Sequence, residues 1–193
     1  MNPRFEAAWE LHQFLEQHNI TYAIIGGIAA TAWGDQRFTR DVDLTIAASL
    51  EEGCEPLVHL ITTRFPSRTD NPLALARKSR LILVTASNGI DVDISLALPG
   101  YEDEVFNRAR NYELEPGKAV LICSPEDLII HKAVAGRPQD IFDIEGVIYR
   151  QREKLDPDYI RNWLNQFADI LANPEVQAHF ETAWDKYLNP GAD

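Results

Sequence analysis

Sulfur is scarce in this chain of 193 residues, which has two cysteines, Cys54 and Cys123, and one methionine. The cysteines fall in neither a CxxC nor a Cys/His spacing, so the pattern argues against a zinc site and reads as two buried reduced thiols. Basic residues are also few, 18 against 30 acidic, giving a net charge of −12 and a pI near 4.8. Proteins that live on non-specific phosphate contacts are normally basic, so broad DNA binding is not expected. No apolar run approaches the ~20 residues that span a bilayer. The first residues carry Arg4, Glu6, Glu10 and Glu16 where a signal peptide would be apolar. A cytoplasmic protein with no membrane partner is the expectation. There is no Walker Gly-Lys-Ser/Thr, no GxGxxG, no internal repeat and no low-complexity tract. His12, His18, His59, His131 and His179 do not cluster at metal-ligand spacing, and Trp9, Trp33, Trp163 and Trp184 read as packing residues.

What is present is ordinary for a globular protein: 45% hydrophobic and 25% charged residues, enough to bury a core without staples. The pattern divides the chain into a mixed α/β half, residues 1–123, and an all-helical half, residues 124–193. In the first half, residues 4–18 read as an amphipathic helix and 21–25 (TYAII) as a strand, followed by Gly26-Gly27 and a helix over 28–33. A strand is expected over 41–47. A helix should begin near Leu50 behind a Ser49/Glu52 capping box. Residues 64–79 show no clean period. Strands over 81–86 and 90–96 are joined by a turn at Asn88-Gly89. A short helix over 101–110 and a strand over 119–123 complete this half. Ser124-Pro125-Glu126-Asp127 is a helix start, with cap, first-position proline and acids in the first turn. Helices are expected over 125–135, 139–152, 157–171 and 175–187.

Two features carry chemistry. Gly26 and Gly27 end a strand and open a helix, where unpaired backbone N–H groups favour an anion and the lack of Cβ allows close approach. Asp41 and Asp43 alternate on a strand, which puts both on one face with Cα atoms roughly 6–7 Å apart. Two such carboxylates suit magnesium, which takes few protein ligands and leaves positions for water and phosphate. Val42, Leu44 and Ile46 define the opposite, buried face. Asp91 and Asp93 repeat the pattern on a later strand, and one of them can supply a third carboxylate or a general base. Spacing alone does not distinguish them.

Residues 25–46, IGGIAATAWGDQRFTRDVDLTI, resemble the signature of nucleotidyltransferases related to the AbiEii toxin, within the polymerase-beta-like superfamily. The matching positions are Gly26, Gly27, Ala29, Gly34, Arg37, Thr39, Asp41 and Asp43. Residues 92–110 resemble the segment carrying the family's third carboxylate and select Asp93, with Asp91 in reserve. Residues 124–145 resemble a further family segment, although Gln139 stands where a basic residue usually precedes the aspartate.

The resemblance implies an α+β fold, a mixed sheet with helices followed by a helical C-terminal region. It implies transfer of a nucleoside monophosphate from an NTP to an acceptor hydroxyl. Asp41, Asp43 and Asp93 would hold Mg2+ and serve as the catalytic acids, and Gly26 and Gly27 would hold the triphosphate. Lys132 is expected to approach nucleotide phosphate or an ordering carboxylate, whereas Arg137, Asp140 and Asp143 read as structural. An RNA acceptor such as tRNA, in a toxin with an antitoxin partner, is one implied role, with Arg64, Arg68, Arg77, Lys78, Arg80, Arg108 and Arg110 as a local basic rim. A cationic small-molecule acceptor, as in aminoglycoside nucleotidyltransferases, is the alternative that the acidic composition suits. A non-catalytic nucleotide-binding module is a third reading, against which the Asp41/Asp43 pair argues.

Overall fold

Period-two alternation governs the architecture of the first half. In β2 (Val42–Ile46), Val42, Leu44 and Ile46 are buried, as are Val92, Ile94 and Leu96 in β4 (Asp91–Leu96). The two strands run parallel with Val42 beside Val92, so their apolar rows coincide on one face. These strands belong to the computed structural model of the chain, which describes residues 2–36, 38–48 and 53–188. Arg37 of the signature and the Ser49/Glu52 capping pair lie outside the described residues.

The chain forms two compact units, Met1–Ile28 with Phe38–Cys123, and Ala29–Arg37 with Ser124–Asp193. The first holds a six-stranded mixed sheet in the order β3-β4-β2-β1-β6-β5, where β1 is Tyr22–Ile24, β3 Leu81–Thr85, β5 Arg110–Glu115 and β6 Lys118–Ile122. Strand β1 lies antiparallel to β2 and parallel to β6, and β3 and β4 form an antiparallel hairpin. Gly89 (φ +82°) supplies the left-handed turn residue of that hairpin. Helices α1 (Pro3–Gln17), α3 (Cys54–Arg64), α4 (Pro72–Ser79) and α5 (Tyr101–Asn107) complete this unit. Helix α2 (Gly26–Trp33) starts at the glycine pair itself.

Three elements differ from the sequence reading, the first being α3, which begins at Cys54 behind Gly53 (φ +100°) where a start near Leu50 is expected. Residues 110–115 are strand β5, whereas the sequence pattern predicts a helix over 101–110 that includes Arg110. The polar run RNYELE pairs only with β6 at the sheet edge, so no buried alternation marks it. Helix α4 emerges from the stretch that showed no period. Asn71 caps it, accepting from Ala74 N–H at 2.9 Å, and Pro72 takes the first helical position.

The second unit contains α6 (Pro125–Ala135), α7 (Pro138–Gln151), α8 (Pro157–Leu171) and α9 (Glu175–Leu188). Helix α6 is buried on nearly all sides, which forces its polar groups to find partners. Ser124 Oγ accepts from Asp127 N–H at 3.1 Å, Asp127 accepts from Tyr159 Oη–H at 2.8 Å, and Glu126 accepts from Asp156 N–H at 3.3 Å. Gly136 (φ +61°) ends the helix. Among the described residues no helix is long and apolar enough to cross a membrane.

The sheet carries one buried polar link that tests this packing. Tyr22 Oη sits 2.7 Å from His12 Nδ1 and accepts from Leu121 N–H at 3.0 Å. Burial pushes the Tyr22 phenol up to about 12 and lowers the His12 pKa against the opposing pull of Glu16. Tyr22→Phe leaves a backbone donor and an imidazole nitrogen unsatisfied and should cost about 1–3 kcal/mol. Urea unfolding checks this, and an unchanged midpoint would contradict the role assigned to the link.

Candidate functional site

The parallel register of β2 and β4 sets Asp43 directly beside Asp93, on the face opposite the apolar row. Asp41 precedes β2 by one residue and shares that face with Asp43. One carboxylate oxygen from each of Asp41, Asp43 and Asp93 lies within 4.8 Å of the other two. All three side chains are half-buried. Magnesium binds oxygen at about 2.0–2.1 Å, so ligand oxygens around it stand roughly 3–4 Å apart. A set of three hard oxygens within 4.8 Å needs only small side-chain rotations to meet that demand. Asp91, the other acid on β4, is exposed and falls outside this group.

The surroundings hold these acids in place. Thr39 Oγ1 donates to Asp41 Oδ1 at 3.1 Å, and Gly27 N–H makes a long hydrogen bond of 3.4 Å to Asp43 Oδ2. The glycine pair has a local explanation. A Cβ on Gly26, whose φ is +59°, would stand 2.0 Å from Asp43 Oδ2, and one on Gly27 would stand 2.2 Å from Thr39 Oγ1. The missing Cβ atoms therefore let Asp43 and Thr39 close against the start of α2, where the helix dipole favours negative charge. Arg68 donates through Nη2 to Asp93 Oδ1, and its Nη1 lies 3.2 Å from Asp91 Oδ2. Reading the sequence placed Arg68 only in a general basic rim; the β-bridge that aims it is invisible in a segment with no period.

Lys132 belongs to the second unit, where it is buried between two carboxylates, 2.8 Å from Asp140 Oδ1 and 2.8 Å from Asp143 Oδ2. Arg137 adds a second cation to Asp140, with Nε 2.6 Å from Oδ2. Burial by itself would raise the Asp140 pKa, but the hydrogen bonds and charges of Arg137 and Lys132 outweigh it and hold the carboxyl below its usual range.

A family model described as "Nucleotidyltransferase of unknown function (DUF6036)" matches residues 5–190. Among solved structures the chain is similar to an antigenic nucleotidyltransferase-like protein from Paracoccidioides brasiliensis, at 18% identity over 93% of each chain with a TM-score of 0.54. It is also similar to the lincomycin-bound lincosamide antibiotic adenylyltransferase LnuA, at 12% identity and a TM-score of 0.52, covering 74% of this chain and 94% of that one. At such identities the likeness establishes the fold. No curated protein matches the chain.

Two outcomes follow from the local geometry. Gly26→Ala should lose about 1–2 kcal/mol to left-handed backbone strain and displace Asp43, so transfer activity should fall further than stability does. Denaturant unfolding and turnover measured on the same preparation check this, and normal turnover would contradict it. A depressed folded pKa contributes stability above the unfolded carboxyl value of about 3.9 and loses it as pH falls through the folded value. The protein should therefore lose stability below about pH 4 in part through Asp140. Asp140→Asn should be less stable at pH 7 and show a shallower acid decline by urea titration; an unaltered decline would sink the assignment.

Proposed function

The chain belongs to the DUF6036 nucleotidyltransferase family, and from that premise we propose that it transfers a nucleoside monophosphate from an NTP to an acceptor hydroxyl, with Mg2+ held by Asp41, Asp43 and Asp93. The observation that carries this reading is the convergence of these three carboxylates within 4.8 Å on one sheet face. When bound, magnesium offsets phosphate charge and stabilises the attacking and leaving oxygens. Thr39 and Gly27 orient Asp41 and Asp43 for that ligation. The start of α2 at Gly26 and Gly27 presents a positive dipole end toward which the triphosphate charge would be drawn. Lys132, buried between Asp140 and Asp143, acts in this reading by ordering those carboxylates within the second unit.

A small cationic hydroxyl compound is the acceptor favoured by the charge distribution. Arg64 and Arg77 are bound to Glu10 and Glu55, Arg68 to Asp91 and Asp93, and Arg80 to the carbonyls of Leu96 and Ala97. These four therefore have local partners, which weakens the case for a basic rim serving a polyanion. RNA modification by a toxin with an antitoxin partner is the second reading, supported by the AbiEii-like signature of residues 25–46.

Incubation with each labelled NTP, once with total RNA and once with a panel of aminated hydroxyl compounds, tests both. Label on a small compound supports the first, label on RNA the second, and label on neither overturns the transfer reaction for both. Asp41→Asn and Asp43→Asn should each reduce transfer by roughly a hundredfold or more, the scale of losing one contact to developing charge, with the fold retained. Asp93→Asn should lose far more activity than Asp91→Asn; equal mild losses would remove Asp93 from the site.

A further inference from the structure

Arg68 reaches the acidic cluster from outside the named strands. Residues 66–68 lie along the free edge of β3: Thr85 N–H donates to Pro66 O at 2.9 Å, Ser67 bridges Val84, and Arg68 N–H donates to Leu83 O at 2.9 Å. Leu83 is the register partner of Asp93, which is in turn the partner of Asp43. Arg68, Leu83, Asp93 and Asp43 thus form one row across the sheet. The side chain crosses β3 along that row, and its two terminal nitrogens separate onto Asp91 and Asp93, acids two residues apart on one face. A planar guanidinium suits such a fork, while a lysine offers one point charge.

Four carboxylates gathered on one face repel one another, and a divalent cation is one way to offset them. Arg68 is another, and it already binds Asp93, one of the three proposed metal ligands. We propose that Arg68 is a positioning residue that acts as a built-in counter-ion: it fixes one oxygen of Asp93, weakens metal binding in the nucleotide-free protein, and so makes metal loading depend on the nucleotide. The inference rests on Asp41, Asp43 and Asp93 being the metal site. A bound triphosphate adds negative charge that offsets the guanidinium, and the site's demand for a divalent ion rises only then.

Mn2+ binding followed by electron paramagnetic resonance tests this without reference to turnover. In nucleotide-free protein, Arg68→Gln should bind Mn2+ about three- to tenfold more tightly than the wild type, the effect of one charge beside a divalent ion in a water-exposed site. Arg68→Lys keeps the charge and should stay within about twofold of the wild type. Adding a non-hydrolysable NTP analogue should improve Mn2+ affinity more in the wild type than in Arg68→Gln. Arg68→Met, a second neutral variant with an apolar stem, serves if the glutamine variant does not fold. A merely structural arginine predicts weaker binding in every variant. Unchanged or weaker Mn2+ binding in the neutral variants, with Asp43→Asn abolishing it, overturns the counter-ion role alone. If Asp43→Asn binds Mn2+ like the wild type, the metal reading fails and this inference with it.

Discussion

Asp43 stands beside Asp93 because β2 and β4 pair in parallel with Val42 opposite Val92, and the proposed metal site depends on that register. A slip of one residue would turn each strand's acids toward the core and its valines and isoleucines outward. Val42, Leu44, Ile46, Val92, Ile94 and Leu96 are all buried, and each contributes about 1.5–3 kcal/mol when fully removed from water. That sum far exceeds the repulsion between half-exposed carboxylates, which a water-like dielectric reduces to about 1 kcal/mol per pair. The apolar face therefore fixes where the acids stand, and the acids need not stabilise the fold to be held together.

The glycine pair works under the same constraint. Two glycines before a helix suggest room for a phosphate. Beside their Cα atoms, that room is taken by Asp43 and Thr39. Glycine at these positions allows the carboxylate-bearing strand and the Thr39 loop to close on the helix start, with Gly27 N–H directed at Asp43. Substitution there displaces a proposed metal ligand before it meets any nucleotide, so glycine variants report on the acidic cluster as much as on phosphate binding.

Legibility followed burial and turn chemistry. The alternating strands β2, β3 and β4, the Asn88-Gly89 hairpin and the Ser124-Pro125 helix start could be read because each has a local signal that tertiary context reinforces. Helices α6 and α8 fall on the residues expected, since prolines and caps mark their starts. Strand β5 was hidden because an edge strand of polar residues carries no alternation, and α4 because its eight residues are too few to show a period. Among site residues, the Asp41/Asp43 alternation could be read directly, whereas Asp93 was separated from Asp91 only by resemblance. The pairing of Arg68 with both acids on β4 had no sequence signal at all, because it depends on a three-residue bridge to the edge of β3.

Net charge turns out to be a poor guide to the local field. The chain carries −12, yet several of its described cations are placed against particular acids: Arg64 on Glu10, Arg77 on Glu55, Arg150 on Asp35, Arg161 on Glu181 and Lys186 on Glu145. Most of these pairs are exposed and add little to stability. Their consequence lies in recognition, because a guanidinium already bidentate on a carboxylate, as Arg161 is on Glu181, offers less to a phosphate backbone. Two groups break this pattern of exposed pairs. Lys132 is buried between Asp140 and Asp143, so its charge is balanced away from solvent by two carboxylates. Arg68 spans two acids at the carboxylate cluster, where a bound cation would compete with it for Asp93. The net charge of the chain therefore says little about the field at Asp41, Asp43 and Asp93, where among the described residues Arg68 is bound directly to the cluster.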